Sequence, residues 1–208
     1  MVRIDKLAIL IERTVPPIRS PILSLEQYTT PGDIAAKIAL HAKLSGALDE
    51  AVVADLGAGT CRLIVPLLIL GASKGYAIDV DERLAYECLN ASRILNIGDK
   101  LIYIISRIKD EMGPLRDSVD LVVVNPPFGV WRRGADWEML SYALYLNPER
   151  VYAILKSGNI EYHTRMARKR GYEARVLWSE DFPIPASMER HRSRIRWIKV
   201  DIVLFKKE

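Results

Sequence analysis

Apolar positions recur with two different periods along the chain, and the change of period divides it. Residues 1–48 carry helical spacing. Arg3 to Arg13 sets Ile4, Leu7, Ile9, Leu10 and Ile11 among charges, and Pro31 to Leu44 sets Ile34, Ala35, Ile38, Ala39 and Ala42 at helical intervals. Thr30 before Pro31 predicts an N-cap followed by a first-turn proline. A turn-rich stretch with Pro16, Pro17 and Pro21 separates these helices. From residue 49 onward, short apolar runs alternate with helical segments. Strands are expected at Ala51 to Asp55, Lys74 to Asp79, Leu101 to Ile105, Val119 to Val124, Val151 to Leu155, Glu173 to Trp178 and Trp197 to Phe205. Helices are expected at Cys61 to Leu70 (despite Pro66), Glu82 to Leu95, Trp137 to Leu146 and Ile160 to Arg170. This order predicts an α/β fold with a mostly parallel seven-stranded sheet and helices on both faces. No helix separates the last two strands, so they should pair antiparallel through Ser179 to Arg196. One domain over 1–208 is expected, with 1–48 as a helical extension and 49–208 as the core.

Composition narrows the picture. The chain has 208 residues, half of them hydrophobic, with no apolar run long enough to span a bilayer and no signal-peptide layout at its start. A cytoplasmic protein is the default. Cys61 and Cys88 belong to no CxxC pair, so neither a zinc site nor a disulfide is expected. His41, His163 and His191 are scattered, and no metal is predicted. The net charge is +4, and the excess lies in the C-terminal half. Arg165, Arg168, Lys169 and Arg170 form one cluster; Arg190, Arg192, Arg194, Arg196 and Lys199 form another. Such clusters suit a polyanionic partner or the solvated face of a heat-stable protein.

The first strand runs into Asp55-Leu56-Gly57-Ala58-Gly59-Thr60. Glycines here let a ligand approach backbone. Arg62 fills the third glycine position of a dinucleotide fingerprint, and no Gly-Lys-Ser/Thr is present, so the turn is poorly suited to a pyrophosphate. Asp79 ends the second strand about 20 residues on, where a carboxylate can accept from both ribose hydroxyls; a helix N-cap is its plainer reading. A nucleoside cofactor without a pyrophosphate is implied, and S-adenosylmethionine fits that description.

Asn125-Pro126-Pro127-Phe128 follows the β-branched run VDLVVV, beyond a strand's carboxyl end, where ligands bind in such folds. The exocyclic amine of adenine is a weak nucleophile because its lone pair is delocalised into the ring. Two acceptors, the Asn125 side-chain oxygen and the Pro126 carbonyl, would favour a more pyramidal nitrogen. The two prolines stiffen the loop, Phe128 offers a stacking face, and Gly129 permits a tight exit. The plain alternative is a strand-ending turn.

DLGAGT, AIDVDE and NPPFG together resemble class I methyltransferases with a Rossmann-like fold that act on amino or amide nitrogen. The fuller resemblance is to the methyltransferase-like protein 5 family, which makes N6-methyladenosine in small-subunit ribosomal RNA. Leu25-Glu26-Gln27-Tyr28-Thr29-Thr30-Pro31 resembles its LEQYPT stretch, and DFPIPASMERHRSR with VDIVLF resembles its C-terminal segment. The resemblance runs from about residue 24 to 205. It implies Gln27, Tyr28 and Thr30 closing over the cofactor, and Asp55, Gly57, Gly59, Thr60 and Arg62 at its methionine end. It also implies Asp79 on the ribose, and Asn125, Pro126, Pro127 and Phe128 around the target adenine. Arg107 stands where the family has an acidic residue, so backbone of Arg107 and Ile108, or Asp110, would hold the cofactor adenine. Arg190, Arg192, Arg194 and Arg196 would grip RNA phosphates. A small zinc-ribbon activator subunit is a further implied partner, served by Ile64 to Leu70 or a strand edge. The Arg, Glu and Ile content would suit a thermophilic archaeon. Two rivals remain: a glutamine methyltransferase acting on a release factor, and a non-catalytic RNA-binding factor.

Overall fold

The computed structural model describes residues 3–108, 115–158, 160–185 and 195–208. The chain runs α1 (Ile4–Thr14), α2 (Gly32–Leu44), β1 (Val52–Leu56), α3 (Ile64–Ile69), β2 (Lys74–Asp79), α4 (Ala85–Ile94), β3 (Leu101–Ile105), β4 (Leu121–Val124), α5 (Ala135–Tyr145), β5 (Arg150–Lys156), α6 (Ile160–Arg168), β6 (Tyr172–Pro185) and β7 (Ile195–Lys207). Short 3-10 turns cover Leu23–Leu25 and Glu82–Leu84.

The seven strands form one sheet in the order β3-β2-β1-β4-β5-β7-β6. β1 to β5 pair in parallel; β7 runs antiparallel to both β5 and β6. Side chains alternate between two cores, as the pleat requires. Val53, Leu121 and Val123 pack toward α1, α2, α3 and α4. Ala54, Val122 and Val124 pack toward α5 and α6. The chain order reverses between β1 and β4, which opens a crevice at their carboxyl ends.

Several elements depart from the sequence reading. The helix expected from Cys61 begins only at Ile64: Cys61 has φ +75° in a turn, and Pro66 is tolerated because it lies in the first turn. Thr30 does not cap α2. The first helical amide, Gly32 N–H, donates instead to Glu12 Oε1 of α1 at 2.7 Å. The last two strands are much longer than their apolar runs. β6 continues through Pro183 to Pro185, which an edge strand accepts because its outer amides need no partner. β5 stops pairing at Lys156↔Val200, while Asp181 to Pro185 still pair with Lys199 to Ile195. A two-stranded ribbon therefore projects past the carboxyl ends of the parallel strands.

The expectation of no disulfide is overturned: Cys61 and Cys88 are bonded, joining the turn after β1 to α4. Chain spacing hides this because the two residues meet only once β1, β2 and α4 are packed. Burial of Ile64, Val65, Pro66, Leu67 and Leu68 likewise removes α3 as a partner surface. Among the described residues, no helix is long and apolar enough to cross a membrane.

Candidate active site

A cavity of about 730 Å³ opens at the carboxyl ends of β1, β2 and β4. Gln27, Tyr28, Thr30, Asp55, Gly57, Gly59, Thr60, Arg62, Asp79, Arg107, Ile108, Asn125 and Pro127 all lie on its wall. The sequence placed these residues in one site, and the fold brings them together. Pro126 and Phe128 stand behind the wall rather than on it. Arg190, Arg192, Arg194 and Asp110 lie outside the described residues, while Arg196 is exposed on the ribbon.

The floor is the turn after β1. Gly57 and Gly59 have φ of +73° and +55°, values that disfavour any side chain. A Cβ on Gly57 would also sit 3.3 Å from Met139 Cε. The turn is held from three sides. Gly57 and Ala58 N–H donate to Ile78 O at 2.8 and 3.0 Å, Gly59 N–H donates to Asp79 Oδ2 at 2.8 Å, and Tyr103 Oη donates to Gly59 O at 3.1 Å.

Three carboxyl groups face this turn. Asp55 is fully enclosed, and neither oxygen is held by a well-formed hydrogen bond. Burial, with the Asp79 charge adding to it, pushes its pKa up to about 8. Burial also raises Asp79, whose oxygens accept from the Gly59 and Asp81 amides. Asp81 behaves oppositely: the Arg83 guanidinium beside it holds its carboxyl down at about 2, with Gln27 Nε2 donating to it at 2.8 Å. A floor of carboxyl groups offers no positive charge to a pyrophosphate, whereas a cationic ligand would favour the ionised form of Asp55. The Asp79 carboxyl keeps acceptor capacity for a hydroxyl.

The roof is the segment between α1 and α2. Thr60 Oγ1 donates to Pro16 O at 2.7 Å. Arg62 is buried and donates to Val15 O, Thr30 O and Glu12 Oε1. Its guanidinium thus ties the roof to the floor. Local spacing could not show this, because Glu12 lies fifty residues earlier in the chain.

Asn125 joins roof and fourth strand. Its Nδ2 donates to Thr30 Oγ1 at 3.1 Å and to Tyr28 O at 3.3 Å. Those two acceptors fix the amide orientation, leaving Oδ1 buried with no partner. Tyr28 stacks on Phe128 with ring centroids 5.5 Å apart, and Phe182 meets Phe128 edge-on at 5.4 Å. Phe128 is only 5% exposed: Tyr28 covers its stacking face. Sequence reasoning missed Glu26, Asp81, Arg83, Arg132 and Met139 on the wall. Two carried a signal: Asp81, two residues past Asp79 at a strand end, and Glu26, inside the LEQY stretch.

No family model matches the chain. An uncharacterized protein of Methanocaldococcus jannaschii is 30% identical, over 91% of this chain and 87% of that one. The rRNA N(6)-adenosine-methyltransferase Mettl5 of Drosophila melanogaster is 29% identical, over 89% of this chain and 88% of its own length. The crystal structure of a candidate RNA methyltransferase from Pyrococcus horikoshii superposes with a TM-score of 0.87 at 30% identity, covering 100% of this chain and 98% of that one. With the strand order, the acidic cavity floor and the Asn-Pro-Pro-Phe turn already in place, these likenesses settle the family: the chain belongs to the methyltransferase-like protein 5 family of class I S-adenosylmethionine-dependent methyltransferases.

Proposed function

We propose that this enzyme transfers a methyl group from S-adenosylmethionine to N6 of an adenosine in RNA, in the small-subunit ribosomal RNA. The observation that carries the reading is the Asn125 amide, held by Thr30 and Tyr28 so that Oδ1 is an acceptor with no donor. A buried acceptor of this kind is stabilised by an incoming N–H, and an exocyclic amine supplies one. The relatives named as rRNA adenosine methyltransferases support the substrate class.

The residues fit the cofactor. Asp55, enclosed beside the glycine turn, would take its ammonium group; Gly57, Gly59 and Thr60 would give it backbone room. Asp79 would accept from the ribose hydroxyls. Gln27, Tyr28, Thr30 and Arg62 would close the roof, and backbone of Arg107 and Ile108 would meet the adenine. When bound, it supplies a methyl group on a sulfonium, open to direct displacement by a nitrogen lone pair. Asn125 Oδ1 and the Pro126 carbonyl accept the two amine hydrogens and raise the nucleophilicity of N6. Once methylated the nitrogen is cationic and strongly acidic, and its proton passes to water at the pocket mouth. Pro127 stiffens the turn, and Phe128 supports from behind the Tyr28 ring that lies on the wall. The base enters single-stranded or flipped from a helix.

Residues 1–48 and 49–208 act as one catalytic domain, because Glu12 bonds both α2 and Arg62. Arg190, Arg192, Arg194 and Arg196 hold phosphate. A small zinc-ribbon subunit docks on a sheet edge, β3 being the strand beside the cofactor wall. A ribosomal substrate places the enzyme in the cytoplasm.

Asn125→Ala is expected to abolish methyl transfer to RNA while leaving cofactor binding by calorimetry within a few fold. Parallel loss of both would remove the assigned role. Transfer of labelled methyl to a release-factor glutamine, with none to RNA, would replace the substrate.

A further inference from the structure

Phe128 is followed by Gly129-Val130-Trp131-Arg132-Arg133-Gly134, a loop that leads into α5. Gly129 and Gly134 have φ of +75° and +82°, so the chain turns sharply at both ends, and residues 130–134 between the turn and the helix stand exposed. The loop is nevertheless fixed. Trp131 N–H donates to the buried Glu26 Oε1 at 2.9 Å, the Arg132 guanidinium pairs with Glu138, and Ala135 N–H donates to Arg132 O at 3.2 Å. Glu26 and Arg132 are both on the cavity wall, so the loop forms part of the rim.

On this anchored loop the Trp131 side chain is left in water, 56% exposed. The aromatic rings behind the cavity wall, Phe128 and Phe182, are buried. The residues beside the indole indicate what would cover it. Arg132 and Arg133 follow directly, and Arg133 pairs with no acid among the described residues. A flat apolar plane next to unneutralised guanidinium matches a nucleotide, which presents a π-face and a phosphate together. A base buried in the cavity leaves its neighbour in the strand at the rim, unstacked on the side it has lost.

Resting on the RNA reading above, we propose that Trp131 is a stacking platform for the nucleotide next to the methylated adenosine, with Arg133 on the phosphate between them. This makes Trp131 a positioning and specificity residue outside the cavity.

The test compares wild type, W131A and W131F on a short oligouridylate carrying one adenosine. A second oligonucleotide has abasic sites on both sides of that adenosine. Loss of one base–indole stack weakens binding by about 5- to 140-fold. W131A should show that loss in RNA affinity by fluorescence anisotropy and in KM, with a smaller change in kcat and unchanged cofactor affinity. W131F should recover most of it. On the abasic substrate, wild type and W131A should bind alike. Equal binding of the ordinary substrate by wild type and W131A overturns the inference alone. A loss in W131A that persists unchanged on the abasic substrate overturns it too. Wild type that neither binds nor methylates either oligonucleotide or ribosomal RNA overturns the functional reading, and this inference with it.

Discussion

Asp55 lies beneath the glycine turn with its carboxyl enclosed, and its pKa of about 8 has a direct consequence for stability. Below pH 4 the group is protonated in both folded and unfolded chains. Between pH 4 and 8 the unfolded chain has lost the proton and the folded one keeps it, so stability falls as pH rises. Above 8 the full penalty stands. Asp79 is shifted in the same direction. In the free enzyme, D55N should therefore melt higher than wild type at pH 8 and flatten part of the decline, as read by thermal denaturation across pH; an unchanged slope would mean that Asp55 ionises normally. At this scale the sequence was informative where chemistry is local. Asp79, Asn125 and the two glycines were placed by their strand ends. Phe128 was not, because its aromatic partners come from residues 28 and 182, and only packing reveals that Tyr28 covers its face.

Strands and helices were legible to the extent that their own residues decide them. Lys74–Asp79 and Leu101–Ile105 are apolar runs with polar or glycine ends, and the structure keeps those bounds. α2 was legible as a helix but not in its cap, because a glutamate from α1 does what Thr30 was expected to do. The ribbon stretch of β6, Asp181 to Pro185, was missed because Asp181, Pro183 and Pro185 interrupt any apolar pattern there, while most of its partner, Trp197 to Lys199, fell within the expected last strand; pairing between the two sustains it. The Cys61–Cys88 bond links elements 27 residues apart. Closing a loop of that size stabilises by about 3.5 kcal/mol on the chain-entropy account. The double variant C61S/C88S should melt at a lower temperature by a corresponding amount, and reductant should lower the wild type toward it. Equal melting of both proteins, with and without reductant, would show that the bond contributes nothing in solution. Because Cys61 adjoins Thr60, the variant should also bind cofactor more weakly after heating. Disulfides inside cells are a known feature of hyperthermophiles.

The whole molecule is asymmetric along its strands. Everything that carries chemistry crowds the carboxyl ends: the glycine turn, the roof from residue 15 to 31, the Trp131 loop and the ribbon. Trp197 on the ribbon is 63% exposed and Arg196 is exposed beside it. Phe182 ties this arm to Phe128, so its base is registered to the pocket. R196E should weaken binding to a folded ribosomal RNA fragment several-fold and reduce the salt slope by about one, while a short oligonucleotide is methylated nearly as before. Anisotropy titrations over a salt series check this; equal losses on both substrates would assign Arg196 to the pocket mouth instead. The arm also has a definite length. Its stretch beyond the end of β5, from Asp181 to Pro185, measures roughly 17 Å at about 3.4 Å per residue. That is about the rise of five stacked bases in one strand. An RNA lying along it would be gauged over about half a helical turn, which would tie the choice of adenosine to its distance from a neighbouring helix.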